Sequence, residues 1–237
     1  MPCRFLLVGL PRSGTTWLQT LLNSDPRILC RGEPFDAWQI DDNGKKTRDL
    51  PALIARDADP GAFLDAFLDT GHAATGVKVL FQHHPALLQR VIPDRPDLVL
   101  IHVTRENRLA QFASLRAAQL SGKWTATDGA PAAPHALEVD PRWAAEMTNE
   151  LETRDFLLAR YLDTLPHRRL TLRYTELAAP ETQARVTEAL GLPPGPPMST
   201  PLSKQGANVI ADRFADPAPL RAYFEGTGRG HWLDAEI

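Results

Sequence analysis

Cysteine is nearly missing from this 237-residue chain: Cys3 and Cys30 are the only two, with no CxxC pair and no zinc-type spacing. That removes a disulfide framework and a structural metal from consideration. Both thiols read as core or half-buried side chains, and the usage suits a reducing cytoplasm. Long hydrophobic runs are missing too. The apolar stretch from Phe5 to Leu10 is cut by Pro11, Arg12 and a polar turn. It falls short of a secretory core and of the roughly 18–20 apolar residues a membrane span needs. Net charge is only −3, so no global basic field invites nucleic acid or an anionic membrane. Any anion has to be captured by a local site.

What is present is the composition of an ordinary globular protein, 43% hydrophobic and 23% charged, with no repeat or low-complexity tract. A chain of this length fits a single domain over residues 1–237 with a core that needs no staple. Apolar runs alternate with helical periodicity. Arg4–Leu10 reads as a strand, Thr15–Asn23 as a helix and Arg27–Cys30 as a second short strand. Residues 36–74 read as charged and helical, with Pro60 a helix start. Gly76–Phe81 is a strand and Pro85–Val91 a helix. Asp97–Val103 is the clearest buried parallel strand, and Glu106–Leu120 the helix after it. Residues 121–141, rich in Gly, Ala, Pro and Thr, read as a surface loop or lid. A long helix over Pro141–Leu165, a strand over Arg169–Tyr174, and helices at Pro180–Leu190 and Pro219–Phe224 follow. The order predicts an α/β fold: a P-loop-like three-layer domain with a central parallel β-sheet flanked by helices, functional at the carboxyl ends of its strands.

One loop carries chemistry. Gly9-Leu-Pro-Arg-Ser-Gly14-Thr15-Thr16 has the GxxxxG skeleton of a phosphate-binding loop, with a strand before it and a helix after it. Backbone N–H groups of such a loop and the positive helix end cradle phosphate oxygens. The lysine of a nucleoside triphosphatase is absent, its place taken by Thr15, and a cation stands earlier, at Arg12. The strand Asp97–Val103 ends in Thr104-Arg105 rather than in an acid that would organise Mg²⁺. Arginine at one strand end and no carboxylate at the other suits transfer of a group less charged than a phosphoryl, without metal.

The stretch Pro11-Arg-Ser-Gly-Thr-Thr-Trp17 resembles the 5′-phosphosulfate loop of sulfotransferases that use 3′-phosphoadenosine 5′-phosphosulfate (PAPS), although that family often has lysine at the place of Arg12. The resemblance implies that Arg12, Ser13, Gly14, Thr15 and Thr16 hold the 5′-phosphosulfate and that Trp17 lies beside the nucleotide. It also implies that Arg105 and Ser114 bind the 3′-phosphate, with Arg108 a competitor for that role. The run from Arg105 to Ser114 is similar to bacterial sulfotransferases of the nodulation-factor and trehalose type. Tyr174 matches a tyrosine near the adenine, and Lys204-Gln-Gly206 matches a segment that closes over the nucleotide. The implied products are a sulfate ester and adenosine 3′,5′-bisphosphate, with a hydroxylated small molecule or carbohydrate as acceptor. The loops 36–74 and 121–141 are expected to shape the acceptor pocket.

The acceptor hydroxyl must give up a proton. In the bacterial relatives a glutamate soon after the phosphate loop takes it, and this chain has Glu33 in Cys30-Arg-Gly-Glu33-Pro-Phe35. Glu33 is therefore the first candidate for general base, with an ion pair to Arg12 or Arg31 as its alternative role. His83 or His84 is the second candidate, otherwise a turn and a helix cap. Lys78 either faces the transferred group or lies on an exposed edge. Two rival functions stay open: a nucleotide kinase on the same fold, and an inactive phosphonucleotide-binding module.

Overall fold

The computed structural model describes residues 2–125, 136–203 and 205–237. Within them the chain runs through β1 (Cys3–Gly9), α1 (Thr15–Leu22), β2 (Ile28–Arg31), β3 (Ile40–Asp42), β4 (Lys45–Thr47), α2 (Leu50–Ala58), α3 (Pro60–Leu68) and β5 (Ala74–Leu80). It continues through β6 (Val99–Thr104), α4 (Arg108–Ser121), α5 (Pro141–Asp163), β7 (Arg169–Arg173), α6 (Pro180–Ala189) and α7 (Ala218–Gly226). Five strands form one parallel sheet in the order β2-β5-β1-β6-β7. From central β1 the chain first builds the β2–β5 side and then crosses to the β6–β7 side. The crevice at the carboxyl ends of β1 and β6 is where such sheets hold ligands.

β1 is apolar from Phe5 to Val8 because both of its faces are covered there. Phe5 and Leu7 pack with Leu18, Leu21 and Leu22 of α1 and Val186 of α6. Leu6 and Val8 pack on the opposite face with Leu64 and Leu68 of α3 and Leu158 and Leu162 of α5. This period-2 split makes the three layers. Phe5 pairs in register with Gly76, where a Cβ would come within 2.3 Å of the Phe5 ring, so only glycine fits there. A third apolar cluster, including Leu109, Phe112, Leu151, Phe214, Phe224 and Trp232, ties α4, α5 and α7 to the segments around them.

Three segments differ from the sequence reading. Residues 40–47 form a two-stranded antiparallel ribbon, β3–β4, instead of helix. Its turn is Asn43-Gly44 with φ of 51° and 91°, the pairing a tight hairpin wants. Charged side chains hide the usual alternation, and the ribbon is fastened from outside. Arg31 holds Asp42 through a two-point fork, and Gln19 donates to Asn43 Oδ1 at 2.7 Å. The expected helix at 85–91 is a π-helical turn, Leu87–Val91. Short 3₁₀ turns at Ile210–Arg213 and Gly230–Leu233 occupy a stretch for which only the helix near 219–224 was expected. Residues 126–135 of the expected lid lie outside the described residues. No helix among the described residues is long and apolar enough to cross a membrane.

Candidate active site

β1 hands the chain to α1 through a loop with two left-handed residues, Arg12 at φ 62° and Gly14 at φ 105°. That curl starts α1 at Thr15, and the first-turn N–H groups of any helix have no intrahelical partner. The result is a concave set of donors at a positive helix end. Gly14 is required twice over, by its φ and by space: a Cβ would meet the Tyr174 ring at 2.7 Å and Leu177 at 2.8 Å. Arg12, a non-glycine residue in a costly conformation, is held by a bond from Arg105 Nη1 to its carbonyl at 3.1 Å. Ser13 is buried, and its hydroxyl has no hydrogen-bond partner among the described residues; the same holds for the Trp17 indole N–H. Buried polar groups normally find partners, so these two are suited to a ligand.

The second cationic element arrives from β6. Arg105, just past Thr104, is 4% exposed, and its guanidinium lies 4.2 Å from the centre of the Tyr174 ring. Tyr174 meets Trp17 edge to face at 5.5 Å between ring centres. Burial pushes the Tyr174 phenol up from its ordinary pKa, the Arg105 charge opposing this. Ser114, on α4, accepts from Arg12 Nε at 2.9 Å, while Arg12 also donates to Gln205 Oε1 at 2.8 Å and the Trp124 carbonyl at 2.5 Å. Burial, then the nearby Arg105 charge, brings the Arg12 guanidinium down to about 10. A cavity of about 110 Å³ is lined by Arg12, Gly14–Trp17, Arg105, Ser114, Tyr174 and Gln205, among others. Arg108 does not line it. That side chain is committed to Asp155 at 2.6 Å, in a buried network with Thr104 and Gln111.

On the other side of the loop the cavity adjoins a groove of about 1500 Å³, and Arg12, Thr15, Thr16, Trp124 and Thr125 border both. Lys78, buried near the end of β5, donates to Thr16 Oγ1 at 2.8 Å and lies 3.0 Å from Glu33 Oε1. Glu33 is therefore paired with neither Arg12, which turns toward Ser114, nor Arg31, which is bound to Asp42. His83 faces the same carboxylate, with Nε2 3.9 Å from Glu33 Oε2, and its Nδ1 accepts from the Leu80 N–H at 3.2 Å. Burial lowers the His83 pKa, partly offset by Glu33, which favours a neutral ring at neutral pH. His84 instead contacts Asp57 at 3.3 Å and does not line the groove. Glu33, Asp36 and His83 bring ligand-type atoms within 4.8 Å of one another, but the Lys78 ammonium already competes for Glu33.

The profile of the sulfotransferase family matches residues 4–196, most of the chain and both halves of this site. The chain belongs to the sulfotransferase family. Among solved structures, a sulfotransferase from Alicyclobacillus acidocaldarius aligns over 98% of this chain and 95% of its own, at 19% identity and a TM-score of 0.54, a likeness of fold. The sulfotransferase domain of the curacin biosynthetic pathway aligns over 92% of this chain and 85% of its own, at 17% identity and a TM-score of 0.47. That of the Synechococcus PCC 7002 olefin synthase covers 94% and 87%, at 15% identity and a TM-score of 0.44. No curated protein sequence matches significantly.

In this sulfotransferase most of the residues singled out from the sequence come together at one crevice. Arg12, Gly14–Trp17, Arg105, Ser114 and Tyr174 border the smaller cavity, with Ser13 buried beneath it, and Glu33 and His83 border the groove. Lys204 lies outside the described residues, but its neighbour Gln205 reaches Arg12. Of the expected acceptor loops, residues between 36 and 48 and Gly122, Trp124 and Thr125 line the groove, whereas α2 and α3 contribute no lining residue. Sequence reasoning missed Arg213 and Glu236, which meet the Arg105 region across more than a hundred residues of chain. No local motif marks either one.

Proposed function

We propose that this sulfotransferase transfers a sulfuryl group from PAPS to a hydroxyl of a small-molecule or carbohydrate acceptor, in the manner of the bacterial nodulation-factor and trehalose type. The observation that carries the reading is the single cavity shared by the loop Arg12–Trp17 and by Arg105 with Ser114. A nucleotide bearing phosphate at both its 5′ and 3′ positions needs two anion sites and aromatic surface for the base, and this cavity borders all three.

On this reading the backbone donors of residues 12–16, with the hydroxyls of Ser13, Thr15 and Thr16, receive the 5′-phosphosulfate. Arg105 and Ser114 take the 3′-phosphate, and Trp17 and Tyr174 flank the adenine. The acceptor enters along the groove, whose wall combines Trp38 with the amides of Gln39, Asn43 and Gln82, surfaces suited to a polyhydroxylated molecule. Glu33 takes the hydroxyl proton as the acceptor oxygen bonds to sulfur. The sulfur–oxygen bond to the 5′-phosphate breaks, and its electron pair leaves on adenosine 3′,5′-bisphosphate. Lys78, between Thr16 and Glu33, and Arg12 balance the charge that moves across the loop. The buried network around the phosphate loop supports a preorganised 5′-phosphosulfate site.

The test is a transfer reaction. Purified protein is incubated with PAPS and a library of hydroxylated metabolites and sugars, and products are read by mass spectrometry. One acceptor class should gain a sulfuryl group in step with release of adenosine 3′,5′-bisphosphate. Donor consumption that tracks no acceptor, or none at all across sugars, phenols and alcohols, would count against the reading.

A further inference from the structure

Arg105 is not open to a phosphate in this structure, because another part of the chain already fills its fork. Glu236 accepts from Arg105 Nε at 2.6 Å through one carboxylate oxygen and from Nη2 at 2.5 Å through the other. Both side chains are sealed, 4% and 3% exposed. Nη1 is spent on the Arg12 carbonyl, and the Tyr174 ring lies against the guanidinium. The fork held by Glu236 has the planar two-point geometry with which arginine takes either a carboxylate or a phosphate.

Charge around this fork is out of balance. Arg213, on the 3₁₀ turn Ile210–Arg213, is buried and feels the charges of Arg105, Glu236 and Arg12. Burial, then the Arg105 charge, brings its guanidinium down to about 10. It donates to the carbonyls of Ala207 at 2.8 Å and Ala110 at 3.4 Å, but Nη2 is buried with no hydrogen-bond partner among the described residues. Among the described residues, Arg12, Arg105 and Arg213 bring three positive charges to one place, and Glu236 supplies a single negative one there. A phosphate dianion would match that set better than the carboxylate does. A buried arginine left with no anion is costly, and Glu236 supplies one from within the chain.

The backbone that carries this carboxylate lies outside the central sheet. The segment carrying it pairs with residues 208–210 through the isolated bridge Val209–Ala235. Flanking bonds include Ile210 N–H to the Asp234 carbonyl at 3.2 Å, Glu236 N–H to the Asn208 carbonyl at 3.3 Å, Ile237 N–H to Asn208 Oδ1 at 3.3 Å, and Asn208 Nδ2 donating to the Ile237 carbonyl. None of these belongs to the central sheet, so the segment can peel away without disturbing the core.

We infer that Glu236 is a displaceable internal counter-ion, filling the Arg105 fork until the second phosphate of the donor takes its place. The inference rests on the donor reading above. Its consequence is a self-competition: nucleotides with a 3′-phosphate bind more weakly than the bare site allows, by the fraction of molecules in which Glu236 has left. Nucleotides without that phosphate never meet Glu236.

Calorimetry with adenosine 3′,5′-bisphosphate and AMP on the wild type and on Glu236→Gln tests this. Neutralising the carboxylate should tighten the bisphosphate by about tenfold to a hundredfold and leave AMP within about twofold. Thermal melts guard against a misfolded variant: Glu236→Gln should melt lower alone and gain more from the bisphosphate than the wild type does. Amide hydrogen exchange on the wild type gives an answer even if the variant fails to fold. Exchange across residues 235–237 should speed up with the bisphosphate and not with AMP. Unchanged or slowed exchange there, or a variant whose bisphosphate affinity is unchanged or weaker, overturns the inference. If the wild type prefers the bisphosphate to AMP, the donor reading survives that loss. If it binds both alike, the donor reading is what fails.

Discussion

The ammonium of Lys78 donates to the Thr16 hydroxyl at 2.8 Å and stands 3.0 Å from the Glu33 carboxylate, so one buried cation joins the phosphate loop to the candidate base. β5 positions it, since its pairing with β1 brings the end of that strand beside the loop. A cation there would stabilise charge developing on oxygens bound by the loop. Lys78→Met, which keeps the length and removes the charge, should lower kcat by roughly 10²–10³-fold, as loss of one charge-stabilising donor does. Affinity for adenosine 3′,5′-bisphosphate should change little. Steady-state kinetics beside calorimetry checks both, and an unchanged kcat would remove Lys78 from the chemistry.

Glu33 and His83 share the groove, and paired substitutions separate them. Glu33→Gln keeps the shape but cannot take a proton, so kcat should fall by roughly 10²–10⁴-fold with nucleotide affinity intact. His83→Asn should do far less, because the ring meets Glu33 only at 3.9 Å. Near wild-type turnover in Glu33→Gln with a dead His83→Asn would reverse the assignment. If Glu33→Gln instead abolishes nucleotide binding, the carboxylate serves to hold Lys78 and the loop.

Strands and helices of the central sheet were legible because β1, β5 and β6 are buried on both faces and therefore mostly apolar, and because prolines such as Pro60, Pro141 and Pro180 mark helix starts. The ribbon β3–β4 was not, since it buries no apolar face; only Asn43-Gly44 signalled it. Within the site, residues set by local backbone were readable, above all Gly14 and the loop around it. Partners brought together by tertiary packing were not. Glu33 belongs to Lys78, Arg108 to Asp155 and Arg105 to Glu236, pairs whose members lie between 45 and 131 residues apart with no periodicity connecting them.

Metal independence is the outcome expected from the cations at this site. Thr15 stands where a triphosphatase has lysine, β6 leads into Arg105 instead of an acid, and Lys78 sits against Glu33. Turnover should therefore survive excess EDTA, although Glu33, Asp36 and His83 lie close enough to interest a cation. Activity lost on chelation and restored by Mg²⁺ would favour the kinase chemistry.

Gly14→Ala tests the shape of the loop. An alanine at φ 105° carries a conformational cost of roughly 1–2 kcal/mol. Crowding of its Cβ against Tyr174 and Leu177 adds about 1–3 kcal/mol more. Denaturant unfolding should show a loss of about 2–5 kcal/mol, and nucleotide binding should weaken along with it. A variant as stable as the wild type would mean that the loop relaxes away from Tyr174.

The most direct measurement is calorimetric binding of adenosine 3′,5′-bisphosphate against AMP, on the wild type and on Arg105→Gln. A charge-assisted phosphate contact is worth about 1.5–3 kcal/mol, roughly 10- to 150-fold in affinity. The wild type should prefer the bisphosphate by at least about tenfold, and Arg105→Gln should lose most of that preference while holding AMP as before. Equal affinities of the wild type for the two nucleotides would contradict a PAPS site at this cavity.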